Sequence, residues 1–440
     1  MTGQSSTLNL RSLFFIGNLS IFMIGLGFAV RANIAADLET DIFSVLDAAR
    51  SASMVGEVLG ATFIGFALTL LFGSALVDFI GTKMMMLLAA VGYLVGSIAV
   101  IAATLIEPSA MAYTLVYGGL LMTGFGWGAV EAASNPMIAA LFPDEKTKRL
   151  NILHAWWPAG IVVGGLTGLA LGAFDLNWQV NMFILIIPAL LLFVLTLRQE
   201  FPVTERVAAG LSYGDMFREL VRSPSFFIWV GCMLATASSE LAPGQWVDIT
   251  LSNVVGMQGI LLLIYVSALM FVMRSFAGFF TSFMSPIALL MFGSACAAVG
   301  LYTLSISTNP VGAFAAATVW GIGVCYMWPT MLAVTSERYP RGGALFLGIM
   351  GFTGGMAIQF VLPELGAIFD RAKIEAAGSL EKLQAMSGAE LAEVIRYASV
   401  ESFQSVAVIP LVLIPIFGAI WLYDRSKGGY KPNVIGDAAE

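Results

Sequence analysis

Residues 84–106 read MMMLLAAVGYLVGSIAVIAATLI, a run without one charged side chain. About 20 apolar residues in a helix span the hydrocarbon core of a bilayer, whereas a barrel strand shows short alternation. Residues 179–197 form another such run. Counting outward between charged or turn-rich breaks gives twelve: about 12–34, 52–76, 84–106, 111–141, 151–173, 178–197, 224–248, 257–281, 286–307, 311–335, 343–368 and 402–423. Composition agrees with this reading. Of 440 residues, 58% are apolar and 11% charged, against about 25% charged in soluble domains, and mean hydropathy is +0.88. Such a chain cannot clothe itself in polar surface in water. A soluble enzyme, a disordered protein and a fibrous one are excluded. The expected fold class is an all-α membrane protein of twelve transmembrane helices in two pseudo-symmetric six-helix bundles.

Arg31 and an acidic loop follow the first run with no small-residue cleavage pattern, so it is read as a span and not a leader. Cys232, Cys296 and Cys325 lie far apart in apolar runs, and there is one histidine, so neither a disulfide framework, a metal centre nor another cofactor is expected. A net charge of −7 argues against a nucleic-acid partner. With the N-terminus inside, 14 of the 21 Lys and Arg fall on inside segments, and the outside loops 107–111, 175–178 and 308–310 have none. The positive-inside rule then puts both termini in the cytoplasm, in a cell (inner) membrane. The polar stretch 198–223 divides a bundle over 1–197 from one over 224–440, which carries an outer insertion at 369–401. There Ser387-x-x-Glu390 signals a helix start, read as a short amphipathic helix or hairpin acting as a cap or a gate.

The halves share a pattern. Gly124-Phe-Gly126 precedes Phe142-Pro143, and Gly321-Ile-Gly323 precedes Tyr339-Pro340, 19 residues from first glycine to proline in both, with Pro136 and Pro329 between. Matched interruptions in two halves mark internally duplicated transporters.

Ionisable groups at membrane depth are expensive and point to function. Glu131 lies mid-span, and Asn135 four residues on shares its helix face. A partly desolvated carboxylate there can take up and release a proton, or be held by a basic neighbour. Arg31 can pair with Glu131 or with Glu57, hold a substrate anion, or snorkel to the outer interface. His154 is a proton relay or a hydrogen-bonded structural group. Asn151 opens its span, and Trp157 precedes glycines at 160, 164, 168 and 172, a stripe suited to close helix contact. Glu240, Gln245 and Trp246 flank Pro243-Gly244, expected to interrupt the seventh span; they line a cavity or sit at the interface. Tyr326 and Trp328 belong to an aromatic set in the tenth span, and Trp328 occupies the repeat position of Glu131. These side chains, with Asn135, Asn151 and Trp157, are the candidate substrate contacts.

Gly73-Ser-Ala-Leu-Val-Asp78-Phe-Ile-Gly81-Thr-Lys83 resembles the signature loop of the major facilitator superfamily, with Phe79 in place of a basic residue. The matching stretch of the second half, from Arg274, is degenerate. The resemblance implies that Gly73, Asp78, Gly81, Lys83 and Arg274 belong to a conformational gate in which Asp78 caps a neighbouring helix. Glu131-x-x-x-Asn135-Pro136, Leu150-Asn151, Glu240 to Trp246 and Pro340-Arg-Gly-Gly343 are similar to the fucose:proton symporter-like branch of sugar permeases. That implies proton coupling through Glu131, a sugar held between the halves, and a monomer in the lipid bilayer; Arg31 and His154, from the reading of the residues, are the further proton-coupling candidates. The branch has an aspartate in its first span where this chain has Arg31, Ala32 and Asn33, a departure that suits a facilitator or an acidic sugar.

The expected function is secondary active transport of a small polar solute, a monosaccharide or sugar derivative, by alternating access coupled to protons. An exporter of amphipathic compounds or lipids is the alternative, and a transport-inactive sensor or scaffold the second. No nucleophile–base pair or metal cluster suggests an enzyme.

Overall fold

The computed structural model describes residues 8–47, 51–174, 176–254 and 259–433. They are almost wholly helical, and no strand occurs among them. Twelve long helices follow in order: α1 (Leu10–Leu38), α2 (Ser51–Ile80), α3 (Thr82–Ala103), α4 (Ala110–Leu141), α5 (Lys146–Ala173), α6 (Gln179–Leu197), α7 (Phe226–Val254), α8 (Gly259–Ser275), α9 (Pro286–Ser305), α10 (Pro310–Val324, resuming as Met327–Arg338), α11 (Gly343–Ala377) and α12 (Gly388–Ser426). In lipid every backbone group must be bonded internally, which helices achieve by themselves. Ten helical stretches among the described residues are long and apolar enough to cross a membrane. The other two are α4, longer but rich in glycine and polar groups, and the shorter α8.

The outer faces of the helices are largely apolar. Phe72, Ile98, Ile187 and Val311 point outward, where lipid, not water, receives them. Inner faces carry the polar groups.

By contacts the chain forms two compact units, Met1–Phe226 with Thr335–Phe352 and Asn433–Glu440, and Phe227–Val334 with Thr353–Pro432. In the first, α4 lies along α2 and α3, α5 along α1, and α6 along α3. The α1–α5 contact is backbone on backbone. A Cβ at Gly160 would stand 2.3 Å from the Phe22 carbonyl oxygen, and one at Gly25 2.0 Å from that of Trp157. The glycine stripe therefore packs on α1 over Gly160, Gly164 and Gly168, whereas Gly172 meets nothing. Segment 335–352 joins this unit through equally tight contacts, since a Cβ at Gly348 would strike Ser74 at 2.3 Å. In the second unit α9 packs on α10 and α12, with Trp320, Tyr326 and Phe403 in its core.

Two expectations are corrected. Pro243-Gly244 does not interrupt α7, which runs on through Pro243; membrane helices absorb a proline by local adjustment. The break lies instead at Cys325–Tyr326, inside α10. The 369–401 stretch is not a separate amphipathic helix or hairpin. Its helix extends α11 to Ala377, a short helix covers Leu380–Ala385, and α12 begins at Gly388 after the cap residue Ser387. Polar helix outside a bilayer costs little, so a span continues until a glycine ends it; Gly378 and Gly388 both have positive φ.

Candidate functional site

Glu131, Asn135 and His154 form one chain of contacts inside the first unit. The i,i+4 spacing on α4 lets Asn135 Nδ2 donate to the Glu131 carboxylate at 2.7 Å and to its carbonyl at 3.1 Å. This fixes the amide, so Asn135 Oδ1 faces His154 Nε2 at 2.9 Å. An amide oxygen only accepts, so that imidazole nitrogen carries the hydrogen. Glu131 Oε2 itself lies 3.9 Å from His154 Nε2. All three side chains are more than nine-tenths buried. A proton arriving on Glu131 adds an O–H donor and removes the charge that strengthens the bond from Asn135, while one oxygen still accepts.

Asn151 is buried on α5 and donates to the Thr147 carbonyl at 2.8 Å. Trp157 is half-buried and meets Phe28 edge-on at 5.7 Å. Arg31 does not snorkel, being 5% exposed. Its guanidinium lies over Trp127 at 5.5 Å and Phe28 at 5.9 Å. It pairs with neither Glu131 nor Glu57. Glu131 is taken by Asn135, and Glu57 accepts from the Tyr113 hydroxyl at 2.6 Å.

In the second unit Arg274 Nη2 donates to Glu240 at 2.8 Å, both side chains nearly sealed. Arg274 Nε donates to the Cys325 carbonyl at the break in α10. An unwound turn leaves carbonyls without helical partners, and a guanidinium satisfies one here. The Tyr326 hydroxyl donates to the Met273 carbonyl at 2.6 Å. Trp328 is half-buried with its ring against Gly354, and its backbone N–H faces Glu240. Gln245 and Trp246 lie outside the residues whose side chains are described.

Asp78, at the end of α2, caps no neighbouring helix. It accepts from Thr204 Oγ1 at 2.5 Å and from Arg206 Nε at 2.9 Å, and Arg206 Nη2 bonds it too. The partners come from the 198–223 segment, and Gly81, with φ 86°, turns the chain from α2 into α3. Lys83 Nζ donates to the Leu197 carbonyl at 2.9 Å, and Gly73 gives room to Met85. Arg274, grouped with this loop in the sequence, belongs to the Glu240 pair of the other unit. Nearby, Lys146 pairs with Glu205 at 2.7 Å, and Thr147 donates to Glu337 at 2.9 Å. In the same polar segment, hydrogen bonds from the Ser212 hydroxyl and backbone hold Asp215 below the usual carboxylate range.

The sequence reading missed Tyr93, Trp127, Thr204, Arg206 and the Thr147–Glu337 contact. Arg206 had a signal only as one of four arginines in the polar 198–223 stretch. Tyr93 and Trp127 read as ordinary span aromatics.

A sequence profile described as Major Facilitator Superfamily matches residues 12–362. The chain belongs to the major facilitator superfamily. This makes it a multi-pass membrane transporter and not an enzyme. Curated proteins give no sequence match. Several solved structures share the fold. The fucose:proton symporter of E. coli is 16% identical, covering 91% of this chain and 98% of that one, with a TM-score of 0.67. A D-xylose-proton symporter is 15% identical over 92% and 98%, with a TM-score of 0.68. A human organic anion transporter is 11% identical over 93% and 99%, with a TM-score of 0.70. At these identities the likeness is one of fold.

Proposed function

We propose that this major facilitator protein moves a monosaccharide or sugar derivative across the cell (inner) membrane by alternating access, coupled to protons at Glu131. The observation that carries the reading is the buried Glu131–Asn135–His154 chain. A carboxylate sealed among apolar helices is costly when charged, and here one amide hydrogen and a nearby imidazole stabilise it. Gaining a proton removes that cost and weakens the bond that Asn135 donates to Glu131. Substrate binding and proton binding then favour the same rearrangement. The solved symporters of fucose and D-xylose that share the fold support a sugar as cargo. The distribution of Lys and Arg supports both termini in the cytoplasm.

Reconstituted protein with an imposed pH gradient tests the coupling. Glu131→Gln keeps an acceptor for Asn135 but cannot cycle a proton. It should lose gradient-driven accumulation and keep exchange of solute for solute. Normal accumulation by Glu131→Gln would reject the mechanism. Drug protection of an efflux-deficient host by the wild-type chain would favour the exporter instead.

A further inference from the structure

The first unit holds a second polar cluster that the proton chain does not use. Arg31 Nη1 and Nη2 are closed to solvent and make no hydrogen bond. Trp127 Nε1 and the Tyr93 hydroxyl are in the same condition. The three are neighbours. Arg31 lies over the Trp127 ring, and a Cβ at Gly27 would stand 3.4 Å from both Arg31 Nη1 and the Tyr93 hydroxyl oxygen. Tyr93 lies within reach of the guanidinium and makes a polar contact with it, but the contact lacks good hydrogen-bond geometry. Arg31 makes no ion pair among the described residues.

The inventory is one-sided. The guanidinium and the indole N–H only donate, and an arginine does not discharge. The Tyr93 oxygen is the one acceptor in the cluster. Buried donors are nearly always satisfied, and an uncompensated cation in a span is costly. The rings of Trp127 and Phe28 offset part of that. What is missing is an acceptor that carries negative charge. One guanidinium balances one charge, and its planar fork matches a carboxylate.

We infer that Arg31, with Tyr93 and Trp127, is the receptor for a carboxylate on the transported solute, making the cargo an acidic sugar of the hexuronate type. This rests on the sugar reading above and narrows it. The donors are sealed in this structure, so the anion reaches them in another state of the cycle.

Thermal unfolding of the purified full chain, with glucuronate, galacturonate, glucose, galactose or lactate added, tests this. The uronates should raise the midpoint and bind at least about 30-fold more tightly than the matching hexoses. Arg31→Gln should abolish that preference, the range seen when one partner of a buried charge pair is removed. Arg31→Lys should keep part of it. Without ligand, Arg31→Gln should unfold no earlier than wild type, since it removes an unsatisfied charge. Hexose binding without uronate binding would overturn the inference and leave the sugar reading standing. Lactate stabilising wild type but not Arg31→Gln, with no response to any sugar, would uphold the carboxylate receptor and reject the sugar. If no carboxylate acts, and Arg31→Gln/Glu131→Gln restores exchange lost in Arg31→Gln, then Arg31 is the counter-ion of Glu131 in another state and the inference falls.

Discussion

Replacing Arg206 by alanine probes the contact that holds the 198–223 segment on α2. Both side chains of the Asp78–Arg206 pair are 4% exposed, so solvent screens it little. Alanine removes the Nε and Nη2 donors from one Asp78 oxygen and leaves Thr204 on the other. It also frees the Leu211 carbonyl, which Arg206 Nη1 holds. Breaking a buried pair from one side costs about 3–5 kcal/mol. That is roughly a 150- to 5,000-fold shift against any state that contains the contact. Thermal and denaturant unfolding in detergent should show the loss in Arg206→Ala, and in Asp78→Asn to a lesser degree, because an amide still accepts from Thr204. The double variant should cost much less than the sum, with a coupling of about 2 kcal/mol or more. Solute exchange should fall in the single variants. A coupling below about 0.5 kcal/mol, the additivity expected of independent sites, would refute the argument that this pair closes the α2 end.

Gly160→Ala should destabilise by about 1–3 kcal/mol, because its methyl meets the Phe22 carbonyl and the Leu26 nitrogen, while Gly172→Ala should be neutral or stabilising; unfolding midpoints of the pair decide this. Glu240→Gln and Arg274→Gln should each cost about 3–5 kcal/mol, and Glu240→Leu/Arg274→Met far less, since an apolar pair leaves no buried charge. Ser212 holds Asp215 below the ordinary Asp value of about 3.9. A depressed folded value means the cap contributes above that range and is lost as pH falls through the lower one. Amide exchange over 213–222 should therefore stay slow until the pH drops below the usual carboxylate range, and Asp215→Asn should remove the dependence. Thr147→Val should weaken the docking of 335–352, read as faster labelling of a cysteine placed at Ser336.

Asp78 shows where reading a sequence stops. Its neighbours identify the loop, and the loop's likeness to the family implies a helix cap, yet Asp78 binds Thr204 and Arg206 about 126 and 128 residues away. Pro243 shows the same limit from the other side. A proline-glycine pair reads as a break, but α7 runs on through it, and the true break at Cys325 lies four residues before Pro329, which has no N–H to give the Cys325 carbonyl.

What the sequence determined alone are the properties that depend on neighbours within one helix. Long apolar runs dictate membrane helices, because lipid accepts no free backbone group. The Glu131–Asn135 bond follows from spacing along one helix. Tertiary structure decided which charges are compensated. Arg31, Glu57 and Glu131 look like natural partners along the chain, but the azimuth at which α1, α2 and α4 pack turns Glu131 toward Asn135 and His154, gives Glu57 to Tyr113, and lays Arg31 against Trp127. Hydrogen-bonded pairing needs contact distance, so helix rotation, which no local pattern encodes, leaves the buried Arg31 without an ion pair among the described residues.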